Sequence, residues 1–323
     1  MSKSEMVDLS SYEIWSENLT KVYGKGKEKV KAVKGIDLRI ESGVHGFLGP
    51  NGAGKTTTLN MLTGALHLTE GRAFIRGHKA GSVNAKELIG FLPQDPVFYS
   101  KKTGEDYLIF MGRLNGLSYL DAKIKAQELI YEFDLWDARS RLIGKYSGGM
   151  RQKIGIASVL IHDPKLLILD EPTANLDPVG RIEIINKIKE LSKEVSVFVS
   201  SHILSEVEQM CEKVTIINKG NIITTDSIEN IKKKFAGTIF ILDTNKNQQI
   251  FEVLKESDMI SEIWIDKKDR SINLIPTDVT KLQENLPKIL LENQAHLVKF
   301  YHPELSLQDI FMEIMGDNNG EVN

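Results

Sequence analysis

Gly49-Pro50-Asn51-Gly52-Ala53-Gly54-Lys55-Thr56-Thr57 decides how the rest of this chain is read. The stretch fits the pattern G-x-x-x-x-G-K-[ST], a loop whose backbone wraps phosphate oxygens. Before it, the apolar run Val44 to Leu48 reads as a short buried strand. After it, Thr56 to Leu66 places Leu59, Leu62 and Leu66 at helical spacing. A loop between a strand and a helix is the context this motif needs. Gly49, Gly52 and Gly54 let the chain turn tightly and aim successive N–H groups inward. The helix that starts here adds its positive N-terminal end. Lys55 then reaches the outer phosphates, and the Thr56 hydroxyl completes a Mg²⁺ shell. A chance glycine turn would lack the flanking strand and helix. The stretch is a nucleotide site.

The 323 residues suit one large domain and a smaller one. A net charge of −3 gives no broad basic surface for nucleic acid. The single cysteine, Cys211, excludes an internal disulfide and reads as a small apolar filler in a reducing compartment. Met1 to Ser11 lacks the apolar core of a signal peptide, and the longest apolar run, Ile154 to Ile161, is far short of a membrane span. The expectation is a soluble, cytoplasmic protein, which leaves docking onto a membrane protein open.

Tyr12 to Ile40 carries two strand-like segments around Tyr23-Gly24, the second rich in lysines that suit an exposed hairpin. Ala73 to Gly77 and Ile89 to Asp95 are further strand-like runs. Thr103 to Leu135 turns helical, with Leu108, Met111, Leu114, Ile124, Leu129, Ile130 and Phe133 supplying apolar faces. Tyr146-Ser147-Gly148-Gly149-Met150 precedes an apolar helix that Asp163-Pro164 stops. Lys165 to Leu169 is apolar without alternation, the pattern of a central parallel strand. Asp177-Pro178 caps the next helix, whose buried stripe is expected at Ile182, Ile185, Ile188 and Leu191. Val195 to Val199 is another buried strand, ending at Ser200-Ser201-His202, and Asn218-Lys219-Gly220-Asn221 makes a hairpin turn. From Ser227 the chain becomes charged and glycine-poor, in the order β-α-β-β-α-β. A last helix opens with the capping box Ser306-Leu307-Gln308-Asp309 and closes at Gly316. This gives an α/β class with residues 1–226 as the nucleotide domain and 227–323 as a small α+β domain.

Asp170, at the end of a buried strand, stands where a phosphate-loop enzyme keeps its Mg²⁺-holding aspartate. Glu171 beside it has no packing reason to be there, and a carboxylate near the γ-phosphate can take a proton from an attacking water. With Ser147-Gly148-Gly149 and Asp170-Glu171 in order after the phosphate loop, Tyr12 to Asp226 resembles the ATP-binding subunit of ATP-binding cassette (ABC) transporters. The resemblance implies a phosphate-loop cassette: a parallel core sheet, an antiparallel β subdomain and a helical subdomain. It implies that Tyr23 stacks on adenine and that Gln94 contacts Mg²⁺ and the transport partner. It also implies that Ser147, Gly148 and Gly149 bind the γ-phosphate of ATP held by a second copy. Ala174 to Asp177 would cross that dimer interface, and His202 would hydrogen-bond the γ-phosphate. Tyr146 and Met150 replace the leucine and glutamine usual in the family's signature. The ending Leu305 to Phe311 looks like the tail of drug, antibiotic and lantibiotic exporter subunits. The implied protein is an ATPase that uses ATP and Mg²⁺, paired with a like subunit, on the inner face of the membrane through a separate permease, and exporting. The alternative is a soluble cassette ATPase acting on ribosomes or DNA. Against it stand one cassette rather than two, no long coiled-coil insertion and no basic patch.

Overall fold

The computed structural model describes residues 8–24, 26–235, 239–266, 269–302, 307–308 and 310–311. The chain forms two compact units, Met1–Ile228 and Glu229–Asn323.

In the first unit, six strands form the central sheet in the order Asn221–Ser227, Lys213–Asn218, Val44–Leu48, Ser196–Ser201, Leu166–Asp170 and Ile89–Leu92. Five of them run parallel, and Asn221–Ser227 folds back antiparallel at one edge. Every residue of Val44–Leu48 and of Leu166–Asp170 is buried, as expected of apolar strands covered on both faces. The edge hairpin turns through Lys219 and Gly220 at φ 46° and 83°, the two positive angles that its tight turn demands.

A second, antiparallel sheet runs Val30–Ile36, Ile14–Tyr23, Glu70–Ile75, His78–Lys79, with Arg39–Ile40 beside Ile14–Tyr23. Ile14, Leu19 and Ile75 of this sheet share one core with Phe47 and Phe198 of the first, and with Leu59 and Leu62 of the helix Lys55–Leu62. The phosphate loop therefore leads into a helix wedged between two sheets. That helix ends at Leu62, four residues before the expected Leu66, because the chain leaves the helical path at Gly64, φ 76°. Leu66 still packs on the core, from the following turn.

The helical part is Gly104–Leu114 and Tyr119–Glu132, each capped by a hydroxyl, of Thr103 and of Ser118. Leu108, Leu129, Ile130 and Phe133 are buried, but Leu114 and Ile124 are exposed. The inner face of the second helix runs through Ala122 and Ala126. Ile124 lies two residues, about 200°, from either. In the helix Pro178–Leu191 the buried stripe is Ile184, Ile185, Ile188 and Leu191, and Ile182 faces outward.

The second unit is a four-stranded antiparallel sheet in the order Ile260–Ile265, Ile272–Pro276, Phe240–Thr244, Leu297–Tyr301. Helices Asn247–Lys255 and Val279–Glu292 complete the split-βαβ order. Ile250, Leu254, Leu282, Leu286 and Leu290 of the helices pack on Leu242, Ile272 and Leu274 of the sheet. An additional helix, Ile228–Phe235, precedes the first strand. Leu307 and Ile310 of the expected closing helix are buried. Ser306, Asp309, Ile314 and Gly316 lie outside the described residues. Among the described residues, no helix is long and apolar enough to cross a membrane.

Candidate nucleotide site

Parallel strands place the ends of Val44–Leu48, Leu166–Asp170 and Ser196–Ser201 side by side, with Leu48 opposite Ser201 and Asp170 opposite Ser200. The phosphate loop leaves this carboxyl edge, where open α/β sheets bind ligands. Its glycines are forced by their surroundings. A Cβ at Gly49 would lie 2.3 Å from the Ile217 carbonyl oxygen. Gly54, at φ 109°, begins the helix with the Ala32 carbonyl 2.8 Å from where a Cβ would stand. Ala53, Gly54 and Lys55 are buried, Pro50 and Thr57 half-buried, and Asn51, Gly52 and Thr56 exposed.

Four of the expected site residues meet at one carboxylate. Glu171 accepts Lys55 Nζ at 3.2 Å on Oε1, and Gln94 Nε2 at 3.1 Å on Oε2. His202 Nδ1 lies 3.0 Å from Oε2. Lys55 Nζ also donates to the Gly49 carbonyl at 2.8 Å, so it sits between the loop and the acid. Glu171 is 7% exposed and Lys55 5%, which makes this a charge pair shielded from screening by water. The Glu171 backbone has φ 48°, an uncommon angle for a side-chain-bearing residue, and its N–H is held by the Ser200 hydroxyl at 3.0 Å.

Asp170 is buried as well. Its Oδ1 accepts the Ser200 hydroxyl at 2.5 Å, and its Oδ2 has no hydrogen-bond partner among the described residues. Burial pushes the Asp170 carboxyl above its ordinary range; the Ser200 and nearby Thr56 hydroxyls pull it back, Glu171 adds to the rise and Lys55 opposes it. A buried carboxylate oxygen left over beside a threonine hydroxyl fits a hard cation such as Mg²⁺. Among the described residues no group of three or more acids, histidines or cysteines is placed to hold a metal, so a cation here would rest largely on phosphate and water oxygens.

The signature is arranged differently. Ser147 caps the helix Gly148–Leu160 by accepting the Met150 N–H at 3.2 Å. Tyr146 is buried, its hydroxyl donating to the Ala138 carbonyl at 2.9 Å. Ser147, Gly148 and Gly149 line a cleft of about 410 Å³ with Asn175, Leu176 and Asp177, and none of its lining residues belongs to the phosphate loop. Tyr23 stays 42% exposed, with the Lys21 ammonium 5.3 Å from its ring centre. Phe98 and Tyr99 make edge contacts with Tyr107 and Phe110. Ser200 escaped the sequence reading, although a serine in a buried strand beside Asp170 was a usable signal.

This loop at the carboxyl edge of a parallel sheet, with a buried Asp-Glu pair two strands away, defines a phosphate-loop nucleotide hydrolase. The chain belongs to the ABC transporter family and is an ATP-binding cassette ATPase: the ABC transporter family model matches residues 33–174. The bacitracin transport ATP-binding protein BcrA of Bacillus licheniformis is 34% identical over 309 residues, covering 94% of this chain and 97% of that one. The linearmycin resistance ATP-binding protein LnrL of Bacillus subtilis is 30% identical, covering 93% of this chain and 97% of its own. The dimeric post-hydrolysis structure of an ATP-binding cassette bound to ADP and Pi superposes with a TM-score of 0.61 at 23% identity, covering 67% of this chain and 98% of that chain.

Proposed function

We propose that this cassette is the motor of an exporter. Two copies sandwich two ATP molecules head to tail, close, hydrolyse and reopen, and the motion drives a separate membrane permease from the cytoplasmic face. Residues 1–226 form the motor and 227–323 an accessory α+β domain. The observation that carries this reading is the meeting of Lys55, Gln94 and His202 on the buried Glu171, next to the unpartnered Asp170 Oδ2. Relatives whose names give bacitracin transport and linearmycin resistance support export.

In this reading the loop Gly49 to Thr57 wraps the triphosphate, which its N–H groups (Pro50 has none) and the Lys55 ammonium bind. The Tyr23 ring, exposed at the end of its strand, stacks on the adenine. Thr56, Asp170 and Gln94 would hold Mg²⁺, which when bound neutralises charge on the phosphates. Glu171 takes a proton from water as the water oxygen bonds to the γ-phosphorus and the bond to the bridging oxygen breaks. His202, fixed by Glu171, donates to the γ-phosphate. Ser147, Gly148 and Gly149 close over the nucleotide of the other copy.

Glu171→Gln keeps the shape and removes the base. ATP affinity should hold while hydrolysis slows by roughly 10²–10⁴-fold, the usual worth of a general base. Parental turnover in the purified variant would remove Glu171 from this role.

A further inference from the structure

Glu206 has no part in the chemistry above, yet it is only 4% exposed. It lies on the short helix Leu204–Met210, which packs so closely on Val44–Leu48 that a Cβ at Gly46 would stand 2.8 Å from Val207 Cγ1. An apolar side chain at position 206 would serve such a contact as well or better, since a buried carboxylate is desolvated at a cost. What the carboxylate does instead is gather hydrogen bonds. Its Oε2 accepts the Thr173 hydroxyl at 2.6 Å and the Ser201 hydroxyl at 3.2 Å. Its Oε1 is buried without a hydrogen-bond partner among the described residues, and Arg181 Nη1 stands 3.9 Å away.

Each of these three groups belongs to a segment that matters. Thr173, 2% exposed, lies two residues after Glu171 in the turn that the Ala174 N–H closes onto the Glu171 carbonyl, and the Glu171 backbone has φ 48°. Ser201, also 2% exposed, immediately precedes His202 and fixes the strand end by accepting the Ile203 N–H at 2.9 Å. Arg181 donates from Nε to the Leu176 carbonyl at 3.1 Å, within the 175–177 segment that lines the signature cleft. A single carboxylate thus fastens the turn carrying the acid and the strand end carrying the histidine, with Arg181, which holds the segment beside the signature, at its other oxygen. Glu171 and His202 themselves sit 3.0 Å apart, so a few tenths of an ångström of slack in either segment would be felt at that contact.

We propose that Glu206 is a positioning residue for hydrolysis: it sets Glu171 and His202 in register by holding Thr173 and Ser201 on one buried oxygen. It acts through those two residues, not on the nucleotide itself. The proposal rests on the roles given to Glu171 and His202 above.

The test compares Glu206→Ala, Thr173→Val and Thr173→Ser in the full chain, each shown to be folded by its circular dichroism melt. The expected result is a split: KM for ATP within about twofold of the parent and kcat lowered about tenfold to hundredfold in Glu206→Ala and Thr173→Val. Thr173→Ser, which restores the hydroxyl, should recover most of the rate. If Glu206→Ala does not fold, the Thr173 pair decides alone, because exchanging hydroxyl for methyl there conserves volume. The His202 ring resonance, identified by its loss in a His202→Gln protein, should move in Glu206→Ala and in Thr173→Val at constant pH. That readout does not depend on which residue is the base. Parental turnover in Glu171→Gln alongside a moved His202 resonance would therefore overturn the base and keep the positioning role. Parental kcat with an unmoved resonance in folded Thr173→Val, or Thr173→Ser no faster than Thr173→Val, would overturn the proposal.

Discussion

Gly49 and Gly149 stand at the two ends of the chemistry and are glycines for opposite reasons. At Gly49 a Cβ would collide with the Ile217 carbonyl oxygen at 2.3 Å, so the fold of this chain already demands glycine. At Gly149 a Cβ would meet nothing within 4 Å, and the angle is one that any residue adopts. The same contrast holds for their surroundings. Around the phosphate loop Lys55, Glu171, Gln94, His202, Asp170 and Ser200 are joined by hydrogen bonds and an ion pair. Around the signature an open cleft presents a serine and two glycines. One half of the chemistry is joined within the chain, with Asp170 Oδ2 left over. In the other half Ser147 caps its helix, but no contact among the described residues requires the glycine at 149, as the proposed nucleotide of a second copy would.

Of the changes that test this contrast, the largest effect is expected in the open half. Gly149→Asp adds a carboxylate where a γ-phosphate would approach, so ATP should bind the phosphate loop while dimer closure fails and turnover drops by 10²–10³-fold, on the order of losing a preorganised donor. Mixing Gly149→Asp chains with Lys55→Ala chains leaves one composite site with both halves intact, and ATP-dependent dimerisation should partly return. Light scattering that finds Gly149→Asp protein alone forming an ATP-dependent dimer would abolish the contrast.

Next in size is the acid sensitivity of the built half. His45, on the strand that delivers the loop, is buried with its Nε2 2.8 Å from the Thr215 hydroxyl. Burial, helped by nearby Lys213 and opposed by Glu41, lowers its pKa from 6.5 to about 4. The unfolded chain therefore binds this proton first as pH falls. The stabilisation is complete above about pH 6.5 and is lost progressively down to about pH 4. Its size is about 3 kcal/mol. Denaturant melts at pH 7 and pH 4.5 should show a smaller difference for His45→Gln than for the parent; equal differences would remove His45 from the account.

Gly49→Ala should cost about 1–3 kcal/mol of folding stability, because the atom in its way is backbone and cannot swing aside. Urea unfolding of the apoprotein measures it, and an unchanged midpoint would mean that the loop is freer than its packing says.

The phosphate loop and the Asp170-Glu171 pair were legible in the sequence because each fixes residue type, spacing and strand context together. Helix faces were less so. Ile182, Ile185, Ile188 and Leu191 looked like a stripe, but nine residues at about 100° each put Ile182 half a turn from Leu191. The fold chose Ile184 instead. Glu206 was illegible for a different reason. Glu206 and Glu208 are two acids on a short helix, and only the packing of that helix decides that Glu206 turns inward. Patterns carried by one segment could be read; contacts made by three could not.

The smallest effect is the sharpest test of the contrast between the glycines. Gly149→Ala adds one methyl where the chain offers open space, in the first turn of the helix Gly148–Leu160. Replacing glycine at a compatible angle restricts the unfolded chain, so folding stability should hold or rise by about 0.4–1 kcal/mol. The same change at Gly49 moves stability the other way, although both substitutions add a single carbon. If Gly149 is shaped by a nucleotide on another copy, its methyl is felt only when that nucleotide arrives. Gly149→Ala should then melt no lower than the parent and bind ATP as a monomer with parental affinity, yet need more ATP or more protein to dimerise. A drop in the melting temperature would show that this chain's own packing requires the glycine after all. Unaltered ATP-driven dimerisation would show that no surface approaches it.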